Sequence, residues 1–326
     1  MKVPDFVEGP IAPMFTVFQA DGCLDDAGQC RFLDYLLQSG SISAYFIRSG
    51  MGLMYTFSKE DTRQLTRNVC AHIKGAAPVL VGCNGIWDRN YDKRPDPKNY
   101  VEESVELGNF ALETGADAVV YTMPEALVPK EGQSHQALIE GFFTDVCARV
   151  DGPVFVYQPP NTHKDYEVRP ETLAKIAAID NFVGGKFSTS DGFYMYELMR
   201  ATREQEFAYI MGHECIYYAG LTLGATAVIG QGTILNPQLF HAALKAYRAG
   251  DWAGVLTAED AINRLVVGIG KPVDFLKRYA SDQGFDVPLY SRSQSSNPYM
   301  SDSVPLTDEE YARFKAIFEK EMQPYL

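Results

Sequence analysis

Short apolar runs alternate along the chain with longer stretches in which apolar residues recur every third or fourth position. The first pattern predicts buried strands, the second amphipathic helices. Strands are expected at residues 11–18, 44–48, 78–83, 116–123, 153–158, 182–187, 207–211 and 225–229. Helices are expected between them, at about 26–38, 59–74, 100–114, 134–149, 170–179, 191–202, 215–223 and 237–249. Local signals agree with this division. Asp25 caps the first helix, whose Phe32, Leu33, Leu36 and Leu37 share a face, and Gly40 ends it. Ser58-Lys59-Glu60-Asp61 resembles a capping box, with Asp in place of the usual Glu. Residues 87–98 are too charged and proline-rich for a helix and form a long connection. The tail adds helical pattern at about 252–279 and again from Thr307, where Thr307 to Glu310 form a capping box. Between these lies a loop rich in Ser, Pro and Tyr, at 288–305.

Eight strands alternating with eight helices predict a parallel sheet. A closed (β/α)8 TIM barrel requires that number, whereas a doubly wound sheet usually carries a Gly-rich dinucleotide turn after its first strand. Here the first βα loop, Thr16 to Gly22, has no G-x-G-x-x-G. The expected fold is therefore a (β/α)8 TIM barrel with a C-terminal helical extension. Residues 1–235 hold the barrel strands and first seven helices, and 236–326 hold helix eight and the extension, one catalytic domain in all.

Composition narrows the function by exclusion. The chain is 46% hydrophobic, which is ordinary globular material with enough for a large core. A net charge of −13, with Lys and Arg scattered, argues against nucleic-acid or anionic-membrane partners. Cys23, Cys30, Cys70, Cys83, Cys147 and Cys215 lie far apart with no CxxC, so reduced thiols and a cytoplasmic location are expected. The N-terminus lacks the long apolar core of a signal peptide. No stretch reaches the roughly 20 apolar residues of a membrane span. His72, His135, His163, His213 and His241 show no HxH or HxxxH spacing, so no metal site is expected.

In barrels of this type the working residues lie at the C-terminal ends of strands. Lys186 closes the sixth strand behind two glycines, and a buried lysine is rare unless paired or used. An amine in a dry pocket loses proton affinity, and a neutral amine attacks carbonyls. Tyr157 closes the fifth strand, so neighbouring parallel strands place it beside Lys186. A phenol there is suited to moving protons while a carbinolamine forms and breaks. Glu125, His213 and Glu214 also stand at strand ends, as candidate ligands for hydroxyls or as supporting polar groups. Gly230 to Thr233 either cradles a phosphate or clears room for a ligand or turn. The 87–98 connection sits at the same rim, as a lid or a surface loop.

The order of pieces resembles the dihydrodipicolinate synthase / N-acetylneuraminate lyase superfamily, the pyruvate-type class I aldolases. Its opening Thr-Pro-Phe and Asp-Gly turn are similar to Thr16-Val17-Phe18 and Asp21-Gly22. Its Gly-Thr-Thr-Gly-Glu loop falls on Ser49-Gly50-Met51-Gly52-Leu53. Its Tyr-Asn-x-Pro matches Tyr157-Gln158-Pro159-Pro160, and its Gly-x-Lys-x-Ser matches Gly184 to Ser188. The late Leu-Gly-Ala segment resembles Leu223 to Ile229, with Asn236-Pro237 downstream. The likeness covers about residues 9–280, and Tyr157 and Lys186 stand 29 residues apart, as the pattern requires.

The departures are informative. The loop threonines that bind the keto-acid carboxylate and relay a proton in the family are Gly50 and Met51 here. The second relay tyrosine, contributed across subunits, aligns with Ala126, and the synthase-specific arginine with Thr162. The resemblance implies Schiff-base chemistry on a 2-oxo acid, with no separate cofactor, while these losses argue against lysine biosynthesis. It implies Lys186 and Tyr157 as catalytic residues. Ser49, Gly50 and Met51 would hold the carboxylate, mainly by backbone, with Thr16 and Ile229 lining the site. It further implies a homo-oligomer, a tetramer or a dimer. Aldol cleavage or condensation with pyruvate or a 3-deoxy-2-oxo sugar acid is the leading expectation. A 2-keto-3-deoxy sugar acid dehydratase keeps the imine. A relative that binds oxo acids without turnover, and a phosphate-gripping isomerase barrel using Gly230 to Thr233, are the rival classes.

Overall fold

The computed structural model describes residues 1–292 and 305–325. The chain runs β1 (Gly9–Pro13), α1 (Asp26–Leu37), β2 (Ala44–Ile47), α2 (Lys59–Ile73), β3 (Val79–Gly82), α3 (Pro97–Glu113), β4 (Ala118–Thr122), α4 (His135–Arg149) and β5 (Val154–Gln158). It continues α5 (Pro170–Ala177), β6 (Phe182–Phe187), α6 (Gly192–Thr202), β7 (Ala208–Met211), α7 (Tyr217–Leu223) and β8 (Ala227–Val228). Then come α8 (Gln231–Leu235), α9 (Pro237–Arg248), α10 (Trp252–Gly268), α11 (Pro272–Asp282) and α12 (Asp308–Met322). All eight strands are parallel and follow chain order around a closed barrel, β8 returning to β1 through Gly9↔Ala227. No described helix is long and apolar enough to cross a membrane.

Side chains alternate between the barrel lumen and the helix layer. Ile11, Phe46, Val120, Phe155 and Ile210 belong to the inner cluster, and Phe182 and Phe187 to the outer one. On β6 the alternation is broken once. Val154 pairs with Phe182 but Phe155 with Gly184, so Val183 is an extra residue, a β-bulge. Phe182 faces outward and Val183 inward. Strict alternation would send Lys186 outward with Phe182. The bulge turns it into the lumen instead.

Glycine is required at the bulge. A Cβ on Gly184 would meet the Phe155 ring at 2.6 Å and the Ala208 carbonyl at 2.8 Å. Gly184→Ala is therefore expected to cost about 1–3 kcal/mol, the usual penalty of overpacking, read from urea unfolding. A melt equal to wild type would show that the bulge tolerates a side chain.

Several boundaries differ from the sequence expectation. The strand expected at 11–18 ends at Pro13, and Met14 to Phe18 stay buried as a loop beneath the C-terminal extension. Lys277 of α11, itself 1% exposed, donates to the Thr16 carbonyl at 2.7 Å. Helix α3 starts at Pro97, three residues before the expected 100, because Asp96 caps it through the Asn99 amide at 2.9 Å. The five-residue α8 was not expected. The 252–279 helix is two, α10 and α11, divided before Pro272. Of the expected loop at 288–305, residues 293–304 lie outside the described residues.

Candidate active site

The register places Tyr157 opposite Lys186 at the C-terminal ends of β5 and β6. Lys186 Nζ stands 4.5 Å from the centre of the Tyr157 ring, and that ring packs edge-on against Phe46 across the lumen at 6.0 Å. Both residues are buried. Burial drives the Lys186 amine down to about 7, against the opposing pull of the Glu214 carboxylate. The same burial holds the Tyr157 phenol well above its ordinary value, and its hydroxyl shares a hydrogen bond with Ser188. Near neutral pH a large share of the amine is thus uncharged, beside a protonated phenol. That combination can add to a carbonyl and supply the proton the leaving water needs.

Lys186 opens into a pocket of about 230 Å³ shared with Met51, Ser188, Gly212, His213 and Glu214. Glu214 is 6% exposed, and the Gly232 amide donates to it at 2.8 Å. A Cβ on Gly230 would collide with this carboxylate. Gly230 to Thr233 therefore clear room for, and donate to, an anion belonging to the chain itself. A phosphate has no claim on those amides while Glu214 occupies them. Burial raises Glu214 to about 7, opposed by the amides and by Lys186. Two buried groups of opposite sign titrating in one range act as a coupled pair. Imine formation is expected to quicken as pH rises through about 7, where the amine loses its proton. Glu214→Gln removes the charge that favours the ammonium, so the rise moves to lower pH. A trapping-rate profile that does not move would separate Glu214 from the lysine.

The loop before Lys186's pocket is held by its own chain. Thr16 Oγ1 donates to the Gly52 carbonyl at 2.7 Å, and Ser49 Oγ accepts from the Gly52 amide at 3.1 Å. The amides of Gly52, Leu53 and Met54 close turns onto the carbonyls of Ser49 and Gly50. Thr16 and Ser49 thus shape the loop, and Met51 is the loop residue that lines the lysine pocket. Ile229 is buried in the inner cluster just past β8, its amide on the Met211 carbonyl at 2.8 Å.

Glu125 is 2% exposed, so it is no surface group. It accepts from Tyr91 at 2.7 Å and from the His163 amide at 2.9 Å, and it pairs with Arg89 at 3.4 Å. Arg94 adds bonds to the carbonyls of Glu125 and Leu127. The 87–98 connection is accordingly fastened over the β3–β5 side of the mouth. Sequence reasoning missed Arg48, Tyr55 and Lys277, since a strand-end or helical position alone does not announce burial.

The family described as the dihydrodipicolinate synthetase family matches residues 7–293. The chain belongs to that family. A relative named putative 2-dehydro-3-deoxy-D-gluconate aldolase YagE, from Escherichia coli K12, is 26% identical over 249 residues, covering 75% of this chain and 76% of the relative. A 4-hydroxy-tetrahydrodipicolinate synthase from Methanoculleus marisnigri is 26% identical over 248 residues, 76% and 78% of the two chains. The solved structure of YagE in complex with pyruvate superposes with a TM-score of 0.75 at 22% identity, over 96% of this chain and 98% of that one. N-acetylneuraminate lyase from Mycoplasma synoviae gives 0.77 at 21%, over 97% and 98%. Family membership and fold are thereby shown.

Proposed function

We propose that this chain is a lyase that forms an imine between Lys186 and a 2-oxo acid, and makes or breaks the C–C bond beside it. The substrate is pyruvate or a 3-deoxy-2-oxo sugar acid. The observation that carries this reading is the buried Lys186 amine lying on the Tyr157 ring at the barrel mouth. Membership of the dihydrodipicolinate synthetase family supports it, as do a relative named as a gluconate-type aldolase and a fold shared with a pyruvate-bound structure.

The neutral amine attacks C2, and the carbinolamine hydroxyl leaves as water with a proton from Tyr157. In cleavage, the C4 hydroxyl gives up its proton and the C3–C4 bond breaks. Its electrons pass to the iminium and an aldehyde departs. The remaining enamine takes a proton at C3, and hydrolysis releases pyruvate and restores Lys186. The Ser49–Met51 loop holds the carboxylate, largely by backbone. Thr16 fixes that loop, and Ile229 packs the floor.

A dehydratase keeps the first half and expels a hydroxyl instead. Glu214, in the same pocket and raised to about 7 by burial, is an acid placed to assist that loss. Incubation with 3-deoxy-2-oxo sugar acids separates the two. A released aldehyde with pyruvate is the expected product, whereas loss of one water from an uncleaved chain supports the dehydratase. No turnover of any such acid, with imine still formed, would contradict both and leave an oxo-acid binder.

A further inference from the structure

Arg48 follows β2 directly, just ahead of the Ser49–Met51 loop. It is 4% exposed, and its backbone adopts the left-handed conformation at φ 47°. Gly82 must be glycine beside it, because a Cβ there would collide with the Arg48 carbonyl. The guanidinium donates from Nη1 to the carbonyls of Gly82 at 3.1 Å and Asn84 at 2.8 Å. Its Nε has no partner. Among the described residues no carboxylate forms an ion pair with it. Glu103, the acid whose charge acts on it, is engaged with the Ile86 amide at 3.1 Å. Arg89, a half-buried arginine of the same rim, has Glu125 as its counter-ion. Arg48 has none, and an uncompensated buried cation is costly to keep.

This guanidinium lines a cavity of about 20 Å³, with Phe46, Tyr55, Asn84, Tyr100 and Thr122. That is room for one water-sized atom, so the space as it stands admits the leading oxygen of an acid group. Asn84 is locked, donating to Tyr100 at 2.9 Å and accepting from the Thr122 amide at 2.7 Å. Met54, an adaptable thioether, forms part of the wall. With Nη1 committed to carbonyls, the Nε–Nη2 edge remains, and it is an edge that takes a carboxylate in a bidentate pair. Phe46, a wall of this cavity, touches the Tyr157 ring that carries Lys186. Through Phe46 and Tyr157 the wall of this cavity is thus two ring contacts from the reacting amine.

We infer that Arg48 anchors a second carboxylate of the substrate: the 2-oxo acid bound at Lys186 is a diacid whose far end supplies the missing counter-ion. This rests on the imine reading proposed above and narrows its substrate class. A purely structural arginine, tying β2 to β3 through two carbonyls, predicts no such preference.

The test compares two six-carbon acids, 2-oxoadipate and 2-oxohexanoate, by borohydride trapping and intact mass at graded concentrations, with pyruvate alongside. Wild type is expected to half-saturate with the diacid at roughly 10–100-fold lower concentration, the range of a charged hydrogen bond. Arg48→Met should collapse the ratio to about one, and Arg48→Lys should keep part of it. Arg48→Gln, which retains a donor to the carbonyls without the charge, decides the matter if the methionine variant does not fold. Equal half-saturation in wild type, or a ratio that survives loss of the charge, would overturn the inference. If pyruvate and both acids fail to trap, the imine reading falls, and calorimetry on Lys186→Met still reads Arg48. Diacid preference there supports the anchor, and its absence overturns it.

Discussion

Lys186→Met will abolish turnover and adduct formation while making the folded chain more stable near neutral pH. The first effect follows from removing the nucleophile. Without an imine the covalent route is closed, so the loss is on the order of 10⁶-fold, the low end of enzymatic acceleration. The second follows from proton linkage. An unfolded lysine titrates near 10.5, whereas burial brings the folded amine to about 7. Between those values the unfolded chain holds the extra proton, so wild-type stability rises with pH across that window. Below about 7 the cost of the lysine is fully present, and methionine, apolar and unbranched, escapes it. Thermal melts should show the variant several degrees higher at pH 7, with the gap closing as pH approaches 10.5. A variant less stable than wild type at pH 7 would mark Lys186 as a structural group.

Tyr157→Phe is expected to slow imine formation by roughly 10²–10⁴-fold, the usual worth of a positioned acid–base group. The ring, its contact with Phe46 and the surface beneath Lys186 all remain. What disappears is the hydroxyl bonded to Ser188. The rate of adduct formation should therefore fall while the final yield at long times stays near wild type. Quenched-flow trapping followed by mass measurement separates the two quantities. A yield that drops as far as the rate would mean that the phenol stabilises the imine and does not move its proton.

The barrel was legible because parallel strands buried on both sides are nearly continuous apolar runs. Lys186 and Tyr157 were legible because they close neighbouring runs. Other features depend on packing that a strand or helix pattern does not encode. Met14 to Phe18 read as strand because the extension buries them, as a lumen would. The five residues of α8 are too few to show helical periodicity, and the 252–279 pattern hid a break before Pro272. The inward turn of Lys186 rests on the bulge at Val183, for which the two glycines are only an ambiguous sign. Glu214 read equally as a hydroxyl ligand or a supporting group until the amides of α8 closed on it. Arg48 stands one residue before a recognised loop, yet nothing in its neighbours announces a buried cation without a counter-ion.

The central claim is that Lys186 forms a covalent imine with a 2-oxo acid. Incubation with pyruvate, reduction with borohydride and peptide mapping test it directly. One reduced pyruvyl adduct is expected, on the peptide containing Lys186, absent from Lys186→Met and forming faster as pH rises through about 7. An unmodified wild-type chain with pyruvate and longer 2-oxo acids, or an adduct on another lysine, would contradict it.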